Sequence, residues 1–289
     1  MRLRRTRGVV LVLLALILTI GVVVVVKTLP SDIKLPMPAL GPECTVKADG
    51  EVSLDPVQMA NAATITAVGI RRGMPERAVV VALATALQES KLENLDDGDR
   101  DSVGLFQQRP SQGWGSVEEI KDPRYAADKF YTSLKKVKGW QKMRVTDAAQ
   151  RVQRSAYPNA YEKWADESAV LARALTGRAT GAVACTVTGA PVLRGAAAAA
   201  ALLEGLKLDW GKGLAKTPAA AQAAGLTVAV SDQSTGWRYA HWLVSHASAT
   251  GLERVRFADM EWHAPDGKWQ PVTADGGIDE RQVIAQVFS

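Results

Sequence analysis

Gly8 to Val26 reads GVVLVLLALILTIGVVVVV, 19 residues without a charged or strongly polar side chain. At a helical rise the run spans about 28 Å, enough for a bilayer core, where a helix satisfies its own backbone. A cleaved signal peptide would carry a shorter apolar core followed by a small-x-small site, whereas Val26-Lys27-Thr28-Leu29-Pro30 follows here. Residues 8–26 are therefore expected to be an uncleaved transmembrane anchor. Arg2, Arg4, Arg5 and Arg7 precede the run and only Lys27 follows it closely. This asymmetry predicts a cytoplasmic tail, residues 1–7, and a single-pass protein of the cell membrane with the bulk of its chain extracytoplasmic.

The same arginines account for most of the chain's basicity. Setting those four aside from the 35 Lys and Arg leaves 31 against 30 acidic residues, so the formal charge of +5 reads as a topology signal. No basic stripe with interleaved aromatics follows, and no nucleic-acid partner is expected. With 289 residues, 47% hydrophobic and 22% charged, the chain is ordinary globular material, long enough for an anchor and two modest domains.

Pro30, Pro36, Pro38 and Pro42 make residues 27–43 a semi-extended spacer. Beyond it the only two cysteines are Cys44 and Cys185, and in an oxidising compartment two lone cysteines bracketing one segment pair most simply as a disulfide. The bridge would close a loop of 141 residues, which in the chain-entropy model stabilises by about 4–5 kcal/mol. It also delimits a domain, residues 44–186, from a second at 187–289.

Inside the bracket the punctuation is helical. Asp55-Pro56 caps a helix that Gly73 stops; Pro75 opens a second ending near Ser90; Asp122-Pro123 opens a third through Phe130 and Leu134. Thr146 caps a fourth running toward Tyr157, and the stretch from Asn159 to Gly177 is a fifth. Between the second and third lies a loop of about 30 residues, a length that usually signals function. Glu89 sits on the last turn before this loop, where unpaired carbonyls disfavour an ionised carboxylate and suit a general acid. Ala86, Thr85 and Ala82, three, four and seven residues back, offer a shallow face that a sugar can approach.

Gln88-Glu89-Ser90, then Gly98-Asp99-Arg100, then Gly104-Leu105-Phe106-Gln107-Gln108 closely resemble the active-site pattern of the lysozyme-like superfamily, over roughly residues 53–177. Lytic transglycosylases and goose-type lysozymes of that family pair Glu-Ser with Gly-Leu-Met/Phe-Gln. The resemblance implies a mainly α lysozyme-like domain, Glu89 as the acid with Ser90 beside it at the substrate, Gly104 for close backbone approach and Gln107 hydrogen-bonding the sugar. Many relatives carry a late Ala-Tyr-Asn-Ala-Gly; here Ala156-Tyr157-Pro158-Asn159-Ala160 stands in that place, so Tyr157 carries over while the inserted proline puts Asn159 out of register.

A hydrolase of this kind needs a second carboxylate to activate water, whereas a lytic transglycosylase uses one Glu and internal attack. Asp99 and Asp101 are the candidates, and Asp99 matches the goose-type position. Arg109 stands where goose-type enzymes have an acid. Among aromatics near the loop, Trp114 between two glycines is the expected sugar-stacking residue; Phe130 at helical spacing reads as core, with Tyr125 beside it and Trp140 after.

After Cys185, Gly195–Gly205 reads as one packed helix, Leu226–Val230 and Arg254–Ala258 as strands about a helix from Trp237 to Thr250, and Trp262 and Trp269 as a hairpin over Pro265-Asp266-Gly267. The expected fold class is thus a mainly α lysozyme-like domain after one transmembrane helix, followed by a small α+β domain of unassigned function. His241 and His246, five residues apart, fall about 140° apart on a helix, and neither metal nor other cofactor is implied. The functional expectation is peptidoglycan glycan-strand cleavage at the extracytoplasmic face, beside a secretion or conjugation apparatus in one setting. A lytic transglycosylase is favoured over a muramidase using Asp99, and a non-catalytic wall-binding scaffold is the contrasting reading.

Overall fold

The computed structural model describes residues 43–211, 215–216, 224–272 and 279–289. β1 (Cys44–Lys47) and β2 (Glu51–Leu54) form a hairpin across Asp49-Gly50, with Cys44 opposite Leu54 and Lys47 opposite Glu51. Strand alternation buries Cys44, Val46, Val52 and Leu54 on one face. α1 (Pro56–Arg71) starts at a capping box: the Asp55 carboxylate accepts from Val57 N and Gln58 N at 2.8 and 2.9 Å, and Gln58 Oε1 accepts from Asp55 N at 2.9 Å. α2 (Glu76–Ser90) is buried on all sides from Ala78 to Leu87, as its run of Ala, Val and Leu demands.

α3 (Val117–Ile120), α4 (Pro123–Lys136), α5 (Val145–Gln153) and α6 (Ala165–Leu175) follow. β3 (Val183–Cys185) returns antiparallel to β1 and sets Cys185 directly opposite Cys44, to which it is disulfide-bonded. Then come α7 (Gly195–Trp210), β4 (Ala215–Lys216), β5 (Gly225–Ala229), α8 (Gln233–Ser245), α9 (Ala247–Thr250), β6 (Leu252–Ala258), β7 (Met260–His263), β8 (Lys268–Pro271) and β9 (Asp279–Val287). The last six strands make an antiparallel sheet in the order β4-β5-β9-β6-β7-β8. Trp262 pairs with Trp269 across the β7–β8 turn, as the turn residues foretell, while the Trp269 ring meets Trp237 of α8 edge-on at 5.1 Å.

The expected fold class needs correction on two counts. The part within the disulfide carries a three-stranded sheet beside its helices, so the described residues form a mixed α and β fold with two antiparallel sheets. Its strands escape a periodicity reading because each has three or four residues and β3 pairs with a strand whose Cys44 lies 141 residues from its own Cys185. The transmembrane helix is also unsupported: residues 8–26 lie outside the described residues, and among the described residues no helix is long and apolar enough to cross a membrane.

The apolar core continues across Cys185, and buried polar contacts cross with it. Asp209, fully buried on α7, accepts from Thr64 Oγ1 of α1 at 2.9 Å and Trp242 Nε1 of α8 at 2.8 Å, and its other oxygen faces Arg124 Nε of α4 at 2.6 Å. His241 of α8 is equally buried; its Nδ1–H donates to Ala174 O at 2.8 Å and Nε2 accepts from Ala182 N at 2.9 Å. Both nitrogens are thereby engaged by backbone. Trp269 Nε1 donates to Val183 O at 2.7 Å.

Candidate active site

Glu89 lies on the last turn of α2, half-buried, just before two consecutive left-handed residues, Lys91 (φ 58°) and Leu92 (φ 64°), that end the helix abruptly. Leu92 is fully buried, which holds this reversal in place. Two donors converge on one oxygen of Glu89. Tyr161 Oη donates to Oε1 at 2.6 Å and Gln153 Nε2 donates to it at 3.2 Å. Among the described residues no hydrogen bond reaches Oε2. Burial first, then the charge of Glu89 and the hydrogen bond to it, push the Tyr161 hydroxyl far above the usual phenol range, so Tyr161 acts here as a donor only.

The segment after α2 folds back as a tight turn. Val103 and Gln108 exchange backbone hydrogen bonds at 3.0 and 3.1 Å, and Gly104 sits at φ 77°, where an added Cβ would come within 2.8 Å of Ile120 O. Glycine is needed there on both grounds. Two residues fasten this turn to its surroundings: Ser90 Oγ at the end of α2 donates to Leu105 O at 2.8 Å, and Gln153 Nε2 donates to Phe106 O at 2.8 Å. Beneath it, Phe106 stacks on Phe130 with ring centroids 4.8 Å apart, which places Phe130 in the core.

Gln107 occupies the space beside Gly98. Its Oε1 accepts from Ser102 Oγ at 3.1 Å and its Nε2 donates to Gly104 O at 3.2 Å. A Cβ on Gly98 would stand 1.7 Å from Gln107 Oε1. Gly98 thus leaves the room that the Gln107 side chain fills.

The aspartates of this loop are spoken for differently. Asp101 pairs with Arg109 at 2.7 Å and accepts from Ser111 N at 2.8 Å and Ser111 Oγ at 3.0 Å. The Arg109 hydrogen bond, then those of Ser111, hold its carboxyl far below the usual carboxylate range. Asp96 pairs with Lys121. Asp99 is 92% exposed, with Arg100 3.9 Å away.

The structure therefore sets Glu89 and Ser90 against the backbone of the Gly104–Gln107 turn, holds the Gln107 side chain within its own loop, and leaves others apart. Ser90 is buried and bonded to backbone, so it supports the turn rather than lining open space. Ala82, Thr85 and Ala86 are wholly buried, which corrects their reading as a groove face. Trp114 is half-buried against the core, Tyr125 is half-buried, and Trp140 is buried. Tyr157 is 73% exposed; the tyrosine that reaches Glu89 is Tyr161. The reason lies in residues 154–164. α5 stops at Gln153, Arg154 turns left-handed at φ 54°, and Tyr161 precedes a short 3-10 turn, Glu162–Trp164, in place of a helix begun at Asn159.

Sequence reading missed Tyr161, Gln153 and Trp164, whose Nε1 donates to Gln88 Oε1 at 3.0 Å. Tyr161 and Trp164, three residues apart, thus grip the neighbouring side chains Glu89 and Gln88. The Ala160-Tyr161 pair was the available signal, since it repeats Ala156-Tyr157 four residues on. No protein-family model matches this chain, and a search of curated proteins finds no match.

Proposed function

We propose that this protein cleaves the glycan strands of peptidoglycan outside the cytoplasm, with Glu89 as general acid, and that it does so as a lytic transglycosylase. The observation that carries the proposal is the paired donation of Tyr161 and Gln153 to Glu89 Oε1, against the Gly104–Gln107 turn. With both donors on Oε1, the proton of the neutral acid belongs on Oε2, the oxygen free to face a substrate. Oε2–H protonates the glycosidic oxygen as its bond to the muramyl carbon breaks. The carboxylate so formed then takes the proton of the muramyl hydroxyl that attacks the same carbon, closing an anhydro ring and restoring the acid.

The condition of the aspartates favours internal attack over hydrolysis. Asp101 is held in an ion pair by Arg109 and Asp99 stands out toward solvent, so neither is fixed opposite Glu89 to activate water. The attacking hydroxyl comes with the substrate, at high effective concentration. The Cys44–Cys185 bridge supports an oxidising compartment. A zymogram on purified cell wall tests the proposal: the parent protein clears the wall and Glu89→Gln does not, whereas clearing by the variant would end the assignment.

A further inference from the structure

We infer that Gln153 is a positioning residue for this cleavage, one that holds Glu89 and the Gly104–Gln107 turn as a single body and stabilises the charge left on Glu89 when its proton has gone. The inference rests on Glu89 being the acid. Gln153 closes α5, and its Nε2 carries two hydrogens that meet two acceptors, Phe106 O at 2.8 Å and Glu89 Oε1 at 3.2 Å. These acceptors fix the orientation of the amide, because the flipped form would set its oxygen against two oxygens. In this orientation Gln153 Oε1 is buried and accepts no hydrogen bond among the described residues. An unpaired buried acceptor is destabilising, and a methionine would fill the same volume without it.

Glu89 is a neutral acid at the start of the reaction and a carboxylate in the middle of it. A preset donor on Oε1 favours the second state over the first and so acts on the barrier rather than on binding. The same side chain ties that oxygen to the backbone of the turn bearing Gln107, so the acid and the sugar-binding turn keep a constant separation. Among the described residues, the groups that face Glu89 from the packed elements are Gln153 at the end of α5 and Tyr161 before the 3-10 turn.

The test is steady-state kinetics on soluble glycan strands across pH for the full chain and for Gln153→Met, Gln153→Glu and Glu89→Gln, each with its thermal unfolding curve. Gln153→Met is expected to fold like the parent and to unfold at or a little below its temperature, because Phe106 O loses its donor, and to lose about ten-fold in kcat, the scale of one hydrogen bond to a charged group, with KM nearly unchanged. The alkaline limb of its pH–rate profile moves upward, since a donor to the ionised form is gone. Gln153→Glu is expected to be inactive near neutrality, where two carboxylates would meet, and to regain activity as pH falls and the new carboxyl becomes a donor. Parent-like kcat and pH profile in Gln153→Met, beside an inactive Glu89→Gln, would overturn the inference and leave the proposed function standing. A loss of kcat with an unmoved pH profile would overturn it as well, whatever the unfolding temperature. Activity in Glu89→Gln would remove both.

Discussion

Tyr161 Oη donates to Glu89 Oε1 at 2.6 Å, while Tyr157, four residues earlier, is 73% exposed. Tyr161→Phe leaves Glu89 with only the longer bond from Gln153. It is expected to lower kcat about ten- to a hundred-fold with little change in KM, as losing a short bond to a charged group does. Tyr157→Phe is expected to stay near the parent rate. Turnover assays on both variants check this, and a greater loss at Tyr157 would contradict the placement.

Gly98 and Gln107 share one space, and the two parties differ in how easily they yield. In Gly98→Ala the added Cβ, 1.7 Å from Gln107 Oε1, displaces the far end of a flexible side chain. The expected outcome is a raised KM and a nearly unchanged unfolding temperature. Gly104→Ala instead meets Ile120 O at 2.8 Å from a φ of 77°, so it is expected to lose stability as well, by about 1–3 kcal/mol. Kinetics and thermal unfolding of the two variants separate these effects.

His241 makes stability depend on pH in a definite window. Burial pushes its imidazole down to about 4, against a hydrogen bond to Ala174 O that opposes the shift. The unfolded chain, with a pKa near 6.5, therefore takes up the proton first as pH falls. The contribution of neutral His241 is fully present above about pH 6.5 and is lost as pH falls toward 4, amounting to about 3 kcal/mol over the window. His246, also pushed down by burial, adds in the same sense. Chemical denaturation at pH 7.5 and 5 is expected to show the loss in the parent and a smaller one in His241→Asn, whose amide does not titrate there; equal slopes would contradict the assignment.

What could be read from the sequence was local. Asp55-Pro56 and Asp122-Pro123 announce helices because a cap is satisfied within four residues, and the β7–β8 hairpin is announced by its own turn. The capping box of Ser116 and Glu119 is equally local, yet α3 is only four residues long and passed for loop. β1 and β2 flank an Asp-Gly turn, but β3 is drawn in from the far end of a 141-residue loop. In the site, Glu89 and the Gly104–Gln107 turn lie close in sequence and were legible together. Gln153 and Tyr161 reach Glu89 across 64 and 72 residues, and only the packing of α5 and of the 3-10 turn Glu162–Trp164 on α2 brings them there. Asp209 and Arg124 likewise meet through tertiary structure alone.

The most direct test of the account is mass spectrometry of the fragments released from purified peptidoglycan by the parent, Glu89→Gln and Asp99→Asn proteins. Anhydro-muramyl ends from the parent and from Asp99→Asn, with no fragments from Glu89→Gln, are the predicted result. Reducing muramyl ends that disappear in Asp99→Asn would contradict internal attack and establish a hydrolase, and fragments released by Glu89→Gln would contradict the acid itself.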